Sequence, residues 1–305
     1  MAAITAAMVK ELREMTDAGM MECKKALVEA DGDMDKAVDV LRTRGLAAAA
    51  KKVGRATNEG TVMAIVSDDA TKGAVVELNC ETDFVGMNEK FKGYAEKIAR
   101  AAMAANVEDV EALKAVDAEG ETVEDVLTDA IHTLGENMNL ARAAVVEAGG
   151  VASYIHGGGK IGVLVNLEVS GGIDATVIGK DIAMQIAALN PRFWDKSQVS
   201  EDVLAEEKKI LVAQMDNDEK MASKPLQVKE KIAAGKMNKF FEENCLLQQA
   251  FVKDGSVTVE QYMNSAAKAL GGSVKFVDAV RFEKGEGIEK KADDFAAEVA
   301  AAAGL

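Results

Sequence analysis

The stretch TVEDVLTDAIHTLG, residues 122–135, returns without a gap as TVEQYMNSAAKALG, residues 258–271. The offset is 136 residues, 258 against 122. Both stretches open Thr-Val-Glu, close Leu-Gly and carry apolar residues at helical spacing between. A threonine ahead of the first apolar residue is an N-cap signal, and a glycine just past the last one is a helix stop. In the second copy Thr258 and Gln261 also have the spacing of a capping box. The match runs on through Met138 and Val274, Leu140 and Phe276, Ala144 and Val280, Val146 and Phe282, and Glu147 and Glu283, to Gly149 and Gly285. Each copy therefore reads as a helix, a glycine break and a strand.

A hairpin and a helix precede each copy. In the first, Thr61–Val66 and Ala74–Cys80 are β-rich runs joined across residues 67–73. Val76, Leu78 and Cys80 alternate with Glu77 and Asn79, the pattern of a strand covering one face of a core. Phe91, Tyr94 and Ile98 then mark a helix. In the second, Val151–His156 and Lys160–Val169 flank Gly157-Gly158-Gly159, and a helix over 174–189 ends at Asn190-Pro191. The reading is an α+β protein with a core of two related subdomains, 60–149 and 150–199 with 245–282, packed side by side. Residues 200–244 interrupt the second as an antiparallel helical hairpin. Val203, Ile210 and Leu211 share one side of its first helix, and Val228, Ile232, Met237 and Phe240 mark the second beyond Lys224-Pro225. Residues 1–45 read as three short helices of ubiquitin-associated type, with apolar faces Met8-Val9-Leu12-Met15, Cys23-Ala26-Leu27 and Met34-Ala37-Val38-Leu41. Asp33 caps the third and Gly45 ends it. A linker over 46–59 and a C-terminal module over 283–305, with an alanine-rich helix around Phe295, complete the division.

Composition narrows the function. The 305 residues carry a formal net charge of −15 with a pI near 4.8, which disfavours phosphate-driven nucleic-acid binding. Three distant cysteines without a CxxC fit a reducing cytoplasm and neither a disulfide framework nor a zinc knuckle. No run of 18 uncharged apolar residues predicts a membrane span, and Lys10, Glu11 and Arg13 break any secretory pattern. Cys80 and His156 sit near strand ends, but nothing nearby orients the histidine as a base. His156-Gly157-Gly158-Gly159 has no G-x-S-x-G partner, and Gly159-Lys160-Ile161 lacks the Walker A spacing. No enzyme, metal or cofactor is expected. What remains is a binding protein. Phe84 lies past the Glu81-Thr82-Asp83 polar break and reads as a projecting wedge. Met20 and Met21 open a helix; two adjacent residues cannot both face inward, so one reads as core and the other is free for a partner.

Several stretches together resemble the bacterial elongation factor Ts family, guanine nucleotide exchange factors for elongation factor Tu. They are Val9–Arg13 with Gly19–Leu27, Asn79–Val85, Ser153–Val165, Leu246–Asp254 and Gly285–Lys290. The resemblance spans essentially the whole chain. It implies that Arg13, Met20 and Met21 contact a helix of the GTPase domain. Thr82, Asp83, Phe84 and Val85 would form the stretch entering near its magnesium site. Leu134 and Gly135 would lie by its phosphate loop, and His156, Phe251 and Val252 would hold another partner domain. The C-terminal helix would pack on the GTPase domain. The chain departs from the family pattern at Gly86-Met87, where a basic residue is usual, at Ala250, where proline is common, and at Asp17, often glycine. The implied partner is a protein GTPase, with no nucleic acid or membrane; a second copy of the chain is a further candidate.

Overall fold

Threonine caps both repeated helices. Thr122 Oγ1 accepts from Asp125 N ahead of the first, and Thr258 Oγ1 accepts from Gln261 N ahead of the second. Both are full capping boxes: Asp125 answers Thr122 as Gln261 answers Thr258. A computed structural model describes residues 4–16, 18–52 and 54–288. Asp17 lies outside the described residues, as do the helix expected around Phe295 and most of the 283–305 segment.

In chain order the elements are α1 (Ala6–Thr16), α2 (Met20–Glu29), α3 (Met34–Ala50), β1 (Glu59–Val66), β2 (Lys72–Cys80), α4 (Asp83–Gly86), α5 (Glu89–Ala105), α6 (Val110–Lys114), α7 (Val123–Leu134), β3 (Met138–Glu147), β4 (Gly150–His156), β5 (Ile161–Ser170), α8 (Thr176–Leu189), α9 (Glu201–Asp216), α10 (Leu226–Asn244), β6 (Ala250–Phe251), β7 (Asp254–Thr258), α11 (Val259–Ala269) and β8 (Ser273–Glu283). The chain is α+β. Two antiparallel sheets have the orders β1-β2-β3 and β4-β5-β8. Each places its hairpin first and the strand after the repeated helix at the third position. The register shifts once in each, at Glu77/Leu78 and at Asn166/Leu167. The extra residues are Ala141 and Val277, which the 136-residue offset relates, so even the bulge repeats.

Each sheet buries one face against its own helices. Val76, Leu78 and Cys80 pack with Phe91, Ile98, Val126 and Ile131. Val163, Val165 and Leu167 pack with Ile178, Ile182, Ile186 and Met263. The opposite faces meet each other through Val62, Val75, Val151, Leu164 and Phe282. That contact corrects the expectation of a one-sided β2. Glu77 and Asn79 are as buried as their apolar neighbours, because the second sheet and the turn after β8 cover them. Glu77 keeps its charge satisfied: its carboxylate accepts from Arg142 Nε at 2.7 Å, Asn79 Nδ2 at 3.0 Å and Gly285 N at 2.7 Å.

The first three helices form their own cluster around Leu12, Cys23, Leu27 and Ala37. The third does not stop at Gly45. It continues to Ala50, with Gly45 packed beside His132 and Thr128 of α7, which lines the helix from outside. Arg42 pairs with Asp125 at 2.5 Å, and Lys52 Nζ donates to Ile131 O at 2.9 Å. Burial holds the Lys52 amine below its usual pKa. The hairpin α9–α10 is anchored at its base by Val199, Phe240 and Cys245, with Phe193, Val203 and Leu211 packed alongside. Ile210, expected on the same side as Val203 and Leu211, is exposed instead.

The three glycines after His156 are structural. All have positive φ, and the carbonyl of Gly159, at +110°, accepts a hydrogen bond from Val62 N at 2.7 Å. A Cβ there would lie 1.9 Å from Thr61 Oγ1. Gly158, at φ +67°, has nothing within 4 Å of the same position. Gly159→Ala should therefore cost at least about 3 kcal/mol of stability by urea unfolding, against about 1–2 kcal/mol for Gly158→Ala, where only the left-handed backbone opposes the change. Equal losses would refute the close approach as the reason.

Candidate protein-docking site

The polar break after β2 becomes a single helical turn. Thr82 is its N-cap, with Oγ1 accepting from Val85 N at 3.4 Å. Gly86 closes the turn against the backbone of Gly60: a Cβ on Gly86 would sit 2.9 Å from Gly60 O. With Val85 packed on the core and Gly86 buried, Asp83 and Phe84 point outward. Phe84 is 84% exposed, and Met87 beside it is also exposed.

The loop after α7 meets this turn. Gly135 caps α7 at φ +81°, and Glu136 follows. The Glu136 carboxylate accepts from Glu81 N and Thr82 N, each at 3.0 Å, and from the Thr82 hydroxyl. In return the Glu81 carboxylate accepts from Asn137 N at 2.6 Å and Arg55 Nη1 at 3.3 Å. The Asn137 amide, with Arg55 helping, holds Glu81 below the usual carboxylate range. The structure thus brings Thr82, Asp83, Phe84 and Val85 together with Leu134 and Gly135, two groups 50 residues apart in sequence. Glu81 and Glu136 are the residues that sequence reasoning missed. Comparing the two repeat copies would have flagged Glu136, because Gly272 occupies its place in the second.

The other expected site residues belong to other clusters. Arg13 is exposed on α1. Met20 and Met21 are both exposed, at 59% and 63%, so neither is core; the buried face of α2 starts at Cys23 and continues through Ala26 and Leu27. His156 is exposed at the end of β4, with Nδ1 3.2 Å from Tyr154 Oη. Phe251 is buried, not on the surface: it stacks on Tyr262 with ring centroids 4.0 Å apart. Tyr262 Oη donates to Asp181 at 2.6 Å, and Lys253 Nζ donates to the same carboxylate. Burial, then the Asp181 bond, raises the Tyr262 hydroxyl pKa. Val252 N donates to the buried Gln185 Oε1 at 2.8 Å, leaving the Val252 side chain exposed.

Cys80 is buried, its thiol donating to Thr82 O at 3.1 Å. Burial, with Glu136 and Glu59 nearby, pushes its pKa up to about 12. Among the described residues no cluster of histidine, cysteine, aspartate or glutamate could hold a metal ion, and no helix is long and apolar enough to cross a membrane. The turn thus presents an exposed aromatic and an acid on a hydrogen-bonded base.

The chain is an α+β protein built on two antiparallel three-stranded sheets of matching order. The elongation factor TS family model matches residues 81–286. Elongation factor Ts of Clostridium botulinum (strain ATCC 19397 / Type A) is 50% identical over 303 residues, 97% of each chain. That of Clostridium perfringens (strain SM101 / Type A) is 50% identical over 302 residues, 97% of this chain and 98% of the relative. The chain belongs to the elongation factor Ts family.

Two outcomes are expected from this geometry. Phe84→Ala should change unfolding stability by less than about 0.5 kcal/mol, since an exposed ring gives up almost nothing on truncation, whereas a buried phenylalanine costs about 3–5 kcal/mol. A large drop in Tm would place Phe84 in the core. Cys80 should resist thiol reagents in the native protein at pH 8. The raised folded-state pKa also fixes a sign: the stability this thiol contributes is full below pH 9.0, where the unfolded thiol ionises, and declines as pH climbs toward about 12. Rapid native labelling of Cys80 would contradict its burial.

Proposed function

We propose that this protein is a guanine nucleotide exchange factor for elongation factor Tu in translation elongation, and that it speeds GDP release by inserting Asp83 and Phe84 near the Mg²⁺ site of the GTPase. Membership of the family supports exchange on elongation factor Tu. The observation that carries the finer reading is Phe84, exposed on a turn that is otherwise packed and hydrogen-bonded. An aromatic held in water at the tip of a braced turn gains about 1.5–3 kcal/mol when a partner buries it. The acid beside it would meet a site built around a cation and disturb its ligation.

The mechanism needs no bond chemistry from this chain. A factor that binds the nucleotide-free GTPase better than the GDP-bound form must weaken GDP by the same ratio. Thr82, Asp83, Phe84 and Val85 would act at the metal and phosphate site, with Leu134 and Gly135 alongside on the same brace. Arg13, Met20 and Met21 would add contacts from the N-terminal helices. His156 and Val252 would grip a second partner domain, with Phe251 supporting Val252 from inside. In the architecture we propose, an N-terminal ubiquitin-associated-like domain and two related core subdomains present these patches, the helical hairpin projects to one side, and a C-terminal module adds a further contact.

The test is release of fluorescent GDP from elongation factor Tu. The intact protein should accelerate it many-fold, and Phe84→Ala should lose about 10–100-fold in exchange efficiency, the rate equivalent of an anchoring aromatic. Unaltered release by the Phe84→Ala variant would overturn the wedge, and no acceleration by the intact chain would overturn the exchange reading itself.

A further inference from the structure

The two sheets end differently at one equivalent junction. In the second, the β5–β8 ladder runs through Val169↔Val274 and adds one more pair, Ser170↔Ser273, whose hydroxyls lie 2.6 Å apart. In the first, the β2–β3 ladder stops at Cys80↔Met138, the counterpart of Val169↔Val274. The pair that would follow, Glu81 and Asn137, is not laddered. There the Glu136 carboxylate takes the amides of Glu81 and Thr82, and the Glu81 carboxylate takes the amide of Asn137.

The second copy shows what the fold alone requires here. Gly272, the counterpart of Glu136, packs so closely that a Cβ would lie 2.2 Å from Ser170 O and 2.8 Å from Ile173 Cγ2. Backbone meets backbone, and no docking turn projects. In the first copy the chain leaves the sheet one residue earlier, and carboxylates replace the missing ladder bonds. Charge-assisted bonds of this kind are stronger than neutral ones. The Thr82 hydroxyl is engaged twice: it donates to Glu136 and accepts from Val85 N. Glu136 therefore orients the cap of the turn that carries Asp83 and Phe84.

We infer that Glu136 is a positioning residue for exchange: it fixes the Phe84 turn to the Leu134-Gly135 loop as one preorganised unit. This rests on the proposed wedge role of Phe84. A turn ordered in advance loses less entropy on docking, so the gain is read as tighter engagement. Glu136 itself need not touch the partner or the nucleotide.

The test uses Glu136→Ala and Glu136→Gln in the full chain. In the free protein, amide hydrogen exchange at Glu81 and Thr82 should quicken by about tenfold or more in Glu136→Ala, as expected when charge-assisted bonds are lost, with β2 and α5 unchanged. In GDP release from elongation factor Tu, the half-saturating factor concentration should rise about tenfold while the saturated rate stays within about twofold. Glu136→Gln, which keeps one acceptor oxygen, should fall between. In a Phe84→Ala background the same substitution should add almost nothing, because the turn no longer carries its anchor.

An equal loss in both backgrounds would show general damage and overturn the inference. So would unchanged amide exchange, or unchanged release by Glu136→Ala alongside a clear loss in Phe84→Ala. Full activity of Phe84→Ala alone would overturn the wedge reading, and this inference with it.

Discussion

The amide of Val62 donates to the carbonyl of Gly159 across 2.7 Å, where the first sheet meets the second. Around that bond the sheets interlock through small residues: a Cβ on Gly162 would lie 2.5 Å from Val62 Cγ1, and one on Gly73 would lie 2.9 Å from Val151 Cγ1. Close approach of the two outer faces makes β2 a strand buried on both sides, and such a strand gives the turn that follows it a rigid base. The fold thus reaches function by a short route. Glycines allow contact between sheets, contact immobilises β2, and the turn at its end can hold an aromatic in solvent.

Exposed aromatics are costly to order unless the backbone beneath them is already fixed. Here the fixing is polar as well as apolar. Val85 and Gly86 seat one side of the turn, and Glu136 ties the other. The first copy of the repeat has diverged toward a projecting tip where the second has closed into a longer ladder. Phe251 tells a related story: it stacks inside on Tyr262, so Val252 beside it is presented by a packed hairpin.

Much of this was legible in the sequence. The gapless repeat announced two related sheets, because cap, periodicity and glycine stop recur together at TVE…LG. The exposure of Phe84 was readable from the phase of Val76, Leu78 and Cys80 and the polar break beyond. Three things were hidden for physical reasons. Glu77 and Asn79 look like a solvated face until a second sheet covers them, and that is a long-range fact. Gly45 reads as a helix stop, yet α7 supports the helix through it. Met20 and Met21 obey the rule that adjacent helical residues diverge, but the first turn of α2 starts before its buried stripe, so both stay outside. Glu136 escaped notice because a lone glutamate in a loop carries no local signal; the mismatch with Gly272 in the second copy marks it, and its partners, 54 and 55 residues earlier, give it meaning.

The central claim is that the protein stabilises the nucleotide-free state of its partner. Its affinity for nucleotide-free elongation factor Tu, measured by calorimetry beside its affinity for the GDP-bound form, tests that most directly. The account predicts tighter binding to the nucleotide-free form, by the same ratio in which the protein weakens GDP, since linkage requires the two to be equal. Equal affinity for both forms would contradict it.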